Sequence, residues 1–322
     1  MSTESTSSAV PEGWLAEGTT VGGGALEQLP PLDAFLRTLD LTDTGARTSN
    51  DIFTGPSQWM PNGRVFGGQV AAQSLVAAMR TIETDRPVHS MHGYFLRPGD
   101  IAEPITFAVD RIHDGNSFST RSVRAYQYGH VIWSMIASFQ TLEGGLEHAA
   151  TMPEGIPGPE ELPSEAEALQ RIDPRLAEHW VHRRPFEMRH VQQPVYVQPA
   201  EERATGQAVW MRTVAPLPDD PLLHQAAIAY VSDYTMLEPL LRAHGIAWMD
   251  SRLRVASLDH AVWWHRAARA DEWLLFVESS PSASGGRGLT LGNIFTRTGE
   301  LVATVAQEGM VRLKTAPAAT TS

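Results

Sequence analysis

The chain states one pattern twice. His92-Gly93-Tyr94-Phe95-Leu96-Arg97 is matched about 168 residues later by His260-Ala261-Val262-Trp263-Trp264-His265. Asp114-Gly115-Asn116 is matched by Ser284-Gly285-Gly286, and the turn glycine Gly129 by Gly299, both at an offset of about 170. A nearly constant offset over three separate features implies two structural copies of one unit. The 322 residues then divide into two units of roughly 120 residues, an ordinary domain size. Two copies can also diverge, so that a position inert in one becomes chemical in the other.

Each half has the same grammar. The first gives a helix from about Gly67 to Ile82, with Val70, Ala71, Leu75, Ala78 and Met79 at helical spacing. Strand-like runs follow at Val88–Leu96, Ile105–Ile112, Ser117–Tyr126 and His130–Gln140. The second half gives one helix from about Pro221 to Arg242, then runs at Arg254–Arg266, Trp273–Ser280, Leu289–Thr296 and Leu301–Arg312. Tyr128-Gly129 and Thr298-Gly299 supply hairpin turns. A long helix and four antiparallel strands bury their apolar faces only if the sheet curls around the helix. Pairing the edge strands of two copies makes one continuous sheet and removes two open edges. The class is therefore α+β.

Residues 1–28 are polar and Gly-rich and read as a disordered extension. The first unit then runs over 29–144, a Pro-rich charged linker with a short helix near Glu165–Gln170 over 145–190, the second unit over 191–314, and a loose tail over 315–322.

Composition removes several chemistries. There is no cysteine, so thiolate catalysis and disulfides are excluded. Lys314 is the only lysine, which argues against a Schiff base. A net charge of −12 with no basic arm argues against nucleic acid. No signal peptide and no run of about 18 apolar residues is present, so membrane insertion is not expected and a cytoplasmic setting is.

The longest strings now carry a resemblance. Arg64-Val65-Phe66-Gly67-Gly68-Gln69, His89-Ser90-Met91-His92-Gly93-Tyr94-Phe95-Leu96-Arg97-Pro98-Gly99-Asp100 and Asp114-Gly115-Asn116-Ser117-Phe118 resemble the acyl-CoA thioesterase II family. So do Ser257-Leu258-Asp259-His260, Val277-Glu278-Ser279-Ser280 and Gln307-Glu308-Gly309. The resemblance implies a tandem double hot-dog that hydrolyses fatty acyl-CoA to free acid and CoA, with no metal and no cofactor. It implies an acyl-CoA partner and, from its outer sheet surfaces, a homo-oligomer. The family's catalytic Asp, hydroxyl and Gln fall on Asp233, Ser257 and Gln307. The hydroxyl is Ser where the best-known bacterial member has Thr; both offer one donor and two lone pairs.

Those residue types suit thioester hydrolysis, which needs a proton acceptor for water and donors to hold it. Singly, Asp233 reads equally as a solvent-facing helix position, Ser257 as a routine strand serine and Gln307 as a hairpin-end residue. The trio carries the reading as a set. The offset that matches His92 to His260 sets His89 against Ser257, as a supporting site residue or a structural histidine. Gly67 and Gly68 leave a helix N-terminus bare for an oxyanion or phosphate. Arg97 and Arg287, with Arg64 behind them, are candidates for CoA phosphates or plain surface arginines. Trp263, Trp264, Phe276 and Met236 read as an acyl slot or as core.

Three other signals compete. No Gly-x-Ser-x-Gly elbow exists. His179, His182 and His190 lack zinc-site spacing. Asp219-x4-His224 resembles the pair of hot-dog enoyl-CoA hydratases, although an Asp beside Pro221 also suits a helix cap. A non-catalytic acyl-CoA-binding protein is the remaining alternative.

Overall fold

The structure, a computed structural model, describes residues 26–46, 48–83, 86–172 and 183–314. The 315–322 tail, His179, His182 and all but 26–28 of the expected extension lie outside the described residues. The first unit contains α1 Pro31–Leu39, β1 Thr42–Asp43, β2 Asp51–Gly55, α2 Gly67–Met79, β3 Val88–Phe95, β4 Ile105–Asp114, β5 Phe118–Gln127 and β6 His130–Gln140. After α3 Glu165–Ile172, the second contains β7 Phe186–His190, β8 Gly206–Thr213, α4 Pro221–Val231, α5 Glu238–His244, β9 Leu253–Ser257, β10 Asp259–Trp264, β11 Leu274–Ser284, β12 Arg287–Thr296 and β13 Leu301–Leu313.

Thirteen strands form one antiparallel sheet in the order β1-β2-β4-β5-β6-β3-β10-β13-β12-β11-β8-β7, with β9 also on β13. The order reads the same outward from the β3/β10 seam, as two copies joined edge to edge require. α2 is buried on nearly all sides; Ala71, Ala72, Leu75, Ala77 and Ala78 have no exposed surface. Such a helix belongs in a core, and α2 lies there against α4. The helices approach closely: a Cβ on Gly68 would stand 2.2 Å from the Tyr230 carbonyl. The tandem double hot-dog expected from the sequence is the fold observed.

The seam corrects the register of the repeat. β3 turns Met91 and Gly93 into the core, while β10 turns His260 and Val262 inward. His92, the residue matched to His260 by sequence, is exposed and packs its ring edge-on to Trp263 at 4.7 Å. A slip of one residue exchanges the faces of a strand. The structural counterpart of His260 is therefore Met91, and that of Ser257 is Val88 rather than His89. In this register the pseudo-two-fold axis passes through the His92–Ala261 pair.

Two further expectations change. The single run Arg254–Arg266 is two strands: Ser257 faces Gly309 and Ala261 faces Ala306, so three residues oppose two and a bulge forms at Leu258–Asp259. β3 carries a matching irregularity between Val88 and Ser90. The single helix Pro221–Arg242 is two helices, broken over residues 232–237. Pro239 has no N–H and its ring opposes a continuous helix, so it takes the first turn of α5 instead. Each helix also follows strands the four-strand pattern omits, β1 and β2 in one unit and β7 and β8 in the other. β7 extends pairing into the stretch read as linker.

Part of that stretch covers the outer sheet face of the second unit. Met152, Ile156 and Leu162 pack on Ala208, Trp210, Trp273 and Leu275. No helix among the described residues is long and apolar enough to cross a membrane.

Gly93 gives a test of this seam. A Cβ there would lie 2.2 Å from the ring of fully buried Trp133. Gly93→Ala is expected to cost about 1–3 kcal/mol in urea unfolding, the range for overpacking a tight core.

Candidate active site

The break between α4 and α5 exists to the sequence as Pro239 and to the site as Asp233. Residues 232–237 form turns instead of helix, and every side chain of Ser232, Met236 and Leu237 is buried. Asp233 therefore projects from a tight, anchored turn. Its carboxylate lies between the C-terminal end of α4 and the N-terminal end of α2. The Gly68 N–H and the side chain of Gln307 face it and favour its ionised form. Gly67 makes the approach possible: a Cβ there would stand 2.5 Å from Asp233 Oδ2. The bare helix end read from Gly67-Gly68 thus holds an anion, and in this structure the anion is the protein's own.

Burial pushes the Asp233 carboxyl up to about 7, against the pull of the Gln307 and Gly68 hydrogen bonds. Its Oδ1 is buried and takes no hydrogen bond among the described residues. That oxygen keeps its lone pairs for a proton from outside.

The bulge at Leu258–Asp259 aims two side chains at Gln307. Ser257 and His260 are three positions apart and would face opposite ways on a regular strand. With the extra residue both face inward. Gln307 Nε2 donates to Ser257 Oγ at 2.8 Å, and Gln307 Oε1 meets His260 Nδ1 at 2.5 Å. His260 Nε2 lies 2.9 Å from Ser232 Oγ, next to Asp233 in the turn.

Donor counting orients this chain. A carboxylate needs a donor, so Gln307 turns its amide nitrogen to Asp233 and Ser257. Its oxygen then faces His260, which must carry its proton on Nδ1. Burial drives His260 down to about 4, so the ring is neutral and Nε2 is an acceptor; the one Ser232 hydroxyl proton is shared between it and the Ala229 carbonyl at 3.1 Å. Ser257 accepts from Gln307 and keeps its own O–H to donate.

Asp233, Ser257 and Gln307 are thus brought together, and the other sequence candidates are not. His89 turns to Ser138 Oγ at 2.8 Å, away from the trio. Arg97 donates to the Val131 carbonyl, Arg287 to Glu308, and exposed Arg64 pairs through its backbone with Asp100 in an isolated β-bridge. Trp264, Phe276 and Met236 belong to the main core, and Trp263 packs against His92. Asp219 and His224 are not a catalytic pair. Asp219 is exposed on Arg269, and His224 Nδ1 accepts the buried Ala270 N–H. Asp220 caps α4 by accepting from Leu222 N. Among the described residues no group of three His, Asp or Glu is placed to hold a metal ion.

Sequence reasoning passed over His260 and Ser232 as site members. The His in Ser257-Leu258-Asp259-His260 was the available signal, since a bulge can bring positions three apart to one face. It also passed over a cavity of about 100 Å³, lined by Leu29, Ala34, Trp59, Met60, Tyr230 and Tyr234 with Arg183 and Arg184 at its wall. Arg184 is paired with Glu165 at 2.7 Å and lies over the Tyr234 ring.

Residues 183–310 match the family described as acyl-CoA thioesterase, and residues 56–140 match the acyl-CoA thioesterase N-terminal domain. The chain is 38% identical over 269 residues to acyl-CoA thioesterase 2 of Haemophilus influenzae, covering 81% of this chain and 92% of that protein. The chain belongs to the acyl-CoA thioesterase family. It is also 38% identical to mouse acyl-coenzyme A thioesterase 8, over 82% of this chain and 85% of that one. Among solved structures, acyl-CoA thioesterase II TesB2 from Mycobacterium marinum is 44% identical, with a TM-score of 0.71 over 88% of this chain and 99% of that one. A hot-dog protein from Alicyclobacillus acidocaldarius shares the fold at 20% identity, with a TM-score of 0.70 over 88% of this chain and 99% of that one.

The raised Asp233 carboxyl of this thioesterase has a stability consequence. Its folded value of about 7 exceeds the ordinary 3.8, so the folded state holds a proton that the unfolded chain releases. Stability is full below pH 4 and is lost as pH rises through 7. Asp233→Asn cannot ionise. It is expected to raise Tm by roughly 3–8 °C at pH 8 and by little at pH 4, as read by thermal unfolding at both pH values.

Proposed function

We propose that this chain hydrolyses fatty acyl-CoA to free fatty acid and CoA by direct attack of a water that Asp233 activates. The observation that carries the mechanism is the convergence of Asp233 and Ser257 on the Gln307 amide. Ionised Asp233 accepts the proton of the attacking water at Oδ1. Ser257, its lone pair engaged by Gln307, donates its O–H to hold that water. The water oxygen bonds to the thioester carbonyl carbon, and negative charge develops on the carbonyl oxygen. Collapse breaks the C–S bond. The proton on Asp233 then passes to the departing thiolate, which restores the carboxylate. No covalent bond to the protein is required.

The cavity walled by Tyr234, the residue after Asp233, supports an acyl slot. Its largely apolar lining suits an acyl chain. The outer face of the first unit supports self-association: Tyr94 and Ile136 are 60% and 52% exposed there, while the second unit's face is covered by its own chain.

Asp233→Ala is expected to abolish release of free thiol from palmitoyl-CoA, followed with a thiol dye, in a protein that still unfolds cooperatively. Turnover kept within a few-fold would remove Asp233 from the chemistry. Ser257→Ala and Gln307→Ala should each lose about 100-fold, the range for one acid–base or oxyanion contact. Since the base must be ionised, kcat/KM should rise with pH up to about 7. A flat profile from pH 5 to 8 would contradict this assignment.

A further inference from the structure

Behind the Asp233 turn lies a second polar cluster, separate from the trio. Glu238, the first residue of α5, and Glu278 of β11 are 0% and 1% exposed. One side-chain amide serves both: Gln207 Nε2 of β8 donates to Glu238 Oε2 at 3.0 Å and to Glu278 Oε2 at 2.7 Å. Glu278 Oε1 meets Thr235 Oγ1 at 2.8 Å. His190 Nε2 of β7 lies 3.2 Å from Glu238 Oε2, with the Tyr196 ring edge-on to the imidazole. Arg242 of α5 is the cation facing the pair, and donates to Gln193 O and Gln207 Oε1. From β12 only Gly292 stands opposite Glu278.

Thr235 and Glu238 belong to the segment that carries Asp233. His260 grips that segment from one side through Ser232, and the carboxyl pair grips it from the other. Two carboxylates on one buried amide cannot both be charged without strong mutual repulsion. A proton on Glu278 relieves it, and both oxygens keep their partners, Thr235 Oγ1 at Oε1 and Gln207 Nε2 at Oε2. Burial, and Glu238 beside it, push the Glu278 carboxyl up to about 8.

We propose that Glu278, bonded to Thr235 and through Gln207 to Glu238, is a positioning residue that holds the Thr235–Glu238 segment and so sets Asp233 for reaction, and that ionising Glu278 loosens this hold. The inference rests on Asp233 being the base. Its signature is an alkaline limb in the rate that an uncharged isostere removes.

The test is the pH dependence of kcat and KM for palmitoyl-CoA from pH 6 to 9.5, with the full chain and two variants. In the parent, kcat should fall roughly tenfold between its optimum and pH 9, following one titration near 8. Glu278→Gln matches the neutral acid in shape and cannot ionise. It should keep kcat at pH 7 within about threefold and show no fall up to pH 9. Glu278→Ala should lower kcat at pH 7 by about tenfold or more with KM within about twofold, as a lost orientation does. A Glu278→Gln profile that follows the parent's alkaline fall overturns the proposal, as does an unchanged kcat in Glu278→Ala. If the alanine variant does not fold, the glutamine profile alone decides. Activity surviving in Asp233→Ala would sink the base assignment. A dead Asp233→Ala beside a Glu278→Gln that tracks the parent sinks the positioning role alone.

Discussion

One planar amide sets the geometry of the site. Gln307 joins His260 through its oxygen and Ser257 through its nitrogen, and faces the Asp233 carboxyl. Because the group is rigid and 1% exposed, it fixes how the Ser257 hydroxyl and the Asp233 carboxyl stand to one another. A proton on His260 Nδ1 is needed for the amide to face this way. Burial keeps the ring neutral, so Nε2 is left as an acceptor toward Ser232.

The two units show how such a site arises on a repeated scaffold. At the inward positions of the first unit stand Val88, Met91 and Ala137, all nearly fully buried. At the corresponding positions of the second stand Ser257, His260 and Gln307. The backbone irregularity is present in both, between Val88 and Ser90 and at Leu258–Asp259. The bulge is thus a property of the unit, and the chemistry is a matter of which side chains occupy it. An apolar triple in one copy packs the core; a polar triple in the other must be completely hydrogen-bonded to be tolerated there.

Much of this was legible in the residues. The repeat, the antiparallel runs and the long motif strings lead to the fold, and His130–Gln140 is a strand with the bounds its alternation suggests. What was not legible was geometry that depends on single residues of register. Matching His92 to His260 satisfied the letters and placed them on opposite faces, because a bulge leaves no mark in composition. The helix break was written in Pro239, but an apolar run through Met236 and Leu237 masked it. Arg97 and Arg287 each have a nearby carbonyl or carboxylate partner, and no local sequence pattern distinguishes such a surface pair from a phosphate clamp.

The hydrogen bond from Gly68 to Asp233 crosses from one repeat to the other. The backbone donor comes from α2 of the first unit and the acceptor from the turn of the second, with Gly67 keeping the space clear. Ancestral duplication therefore left neither half self-sufficient. A gene divided inside the 145–190 connector would encode two fragments, each lacking part of the reaction centre, and chemistry would return only where the fragments reassociate along the β3/β10 border. Such a pair behaves as a complementation reporter, its signal set by the docking of the halves.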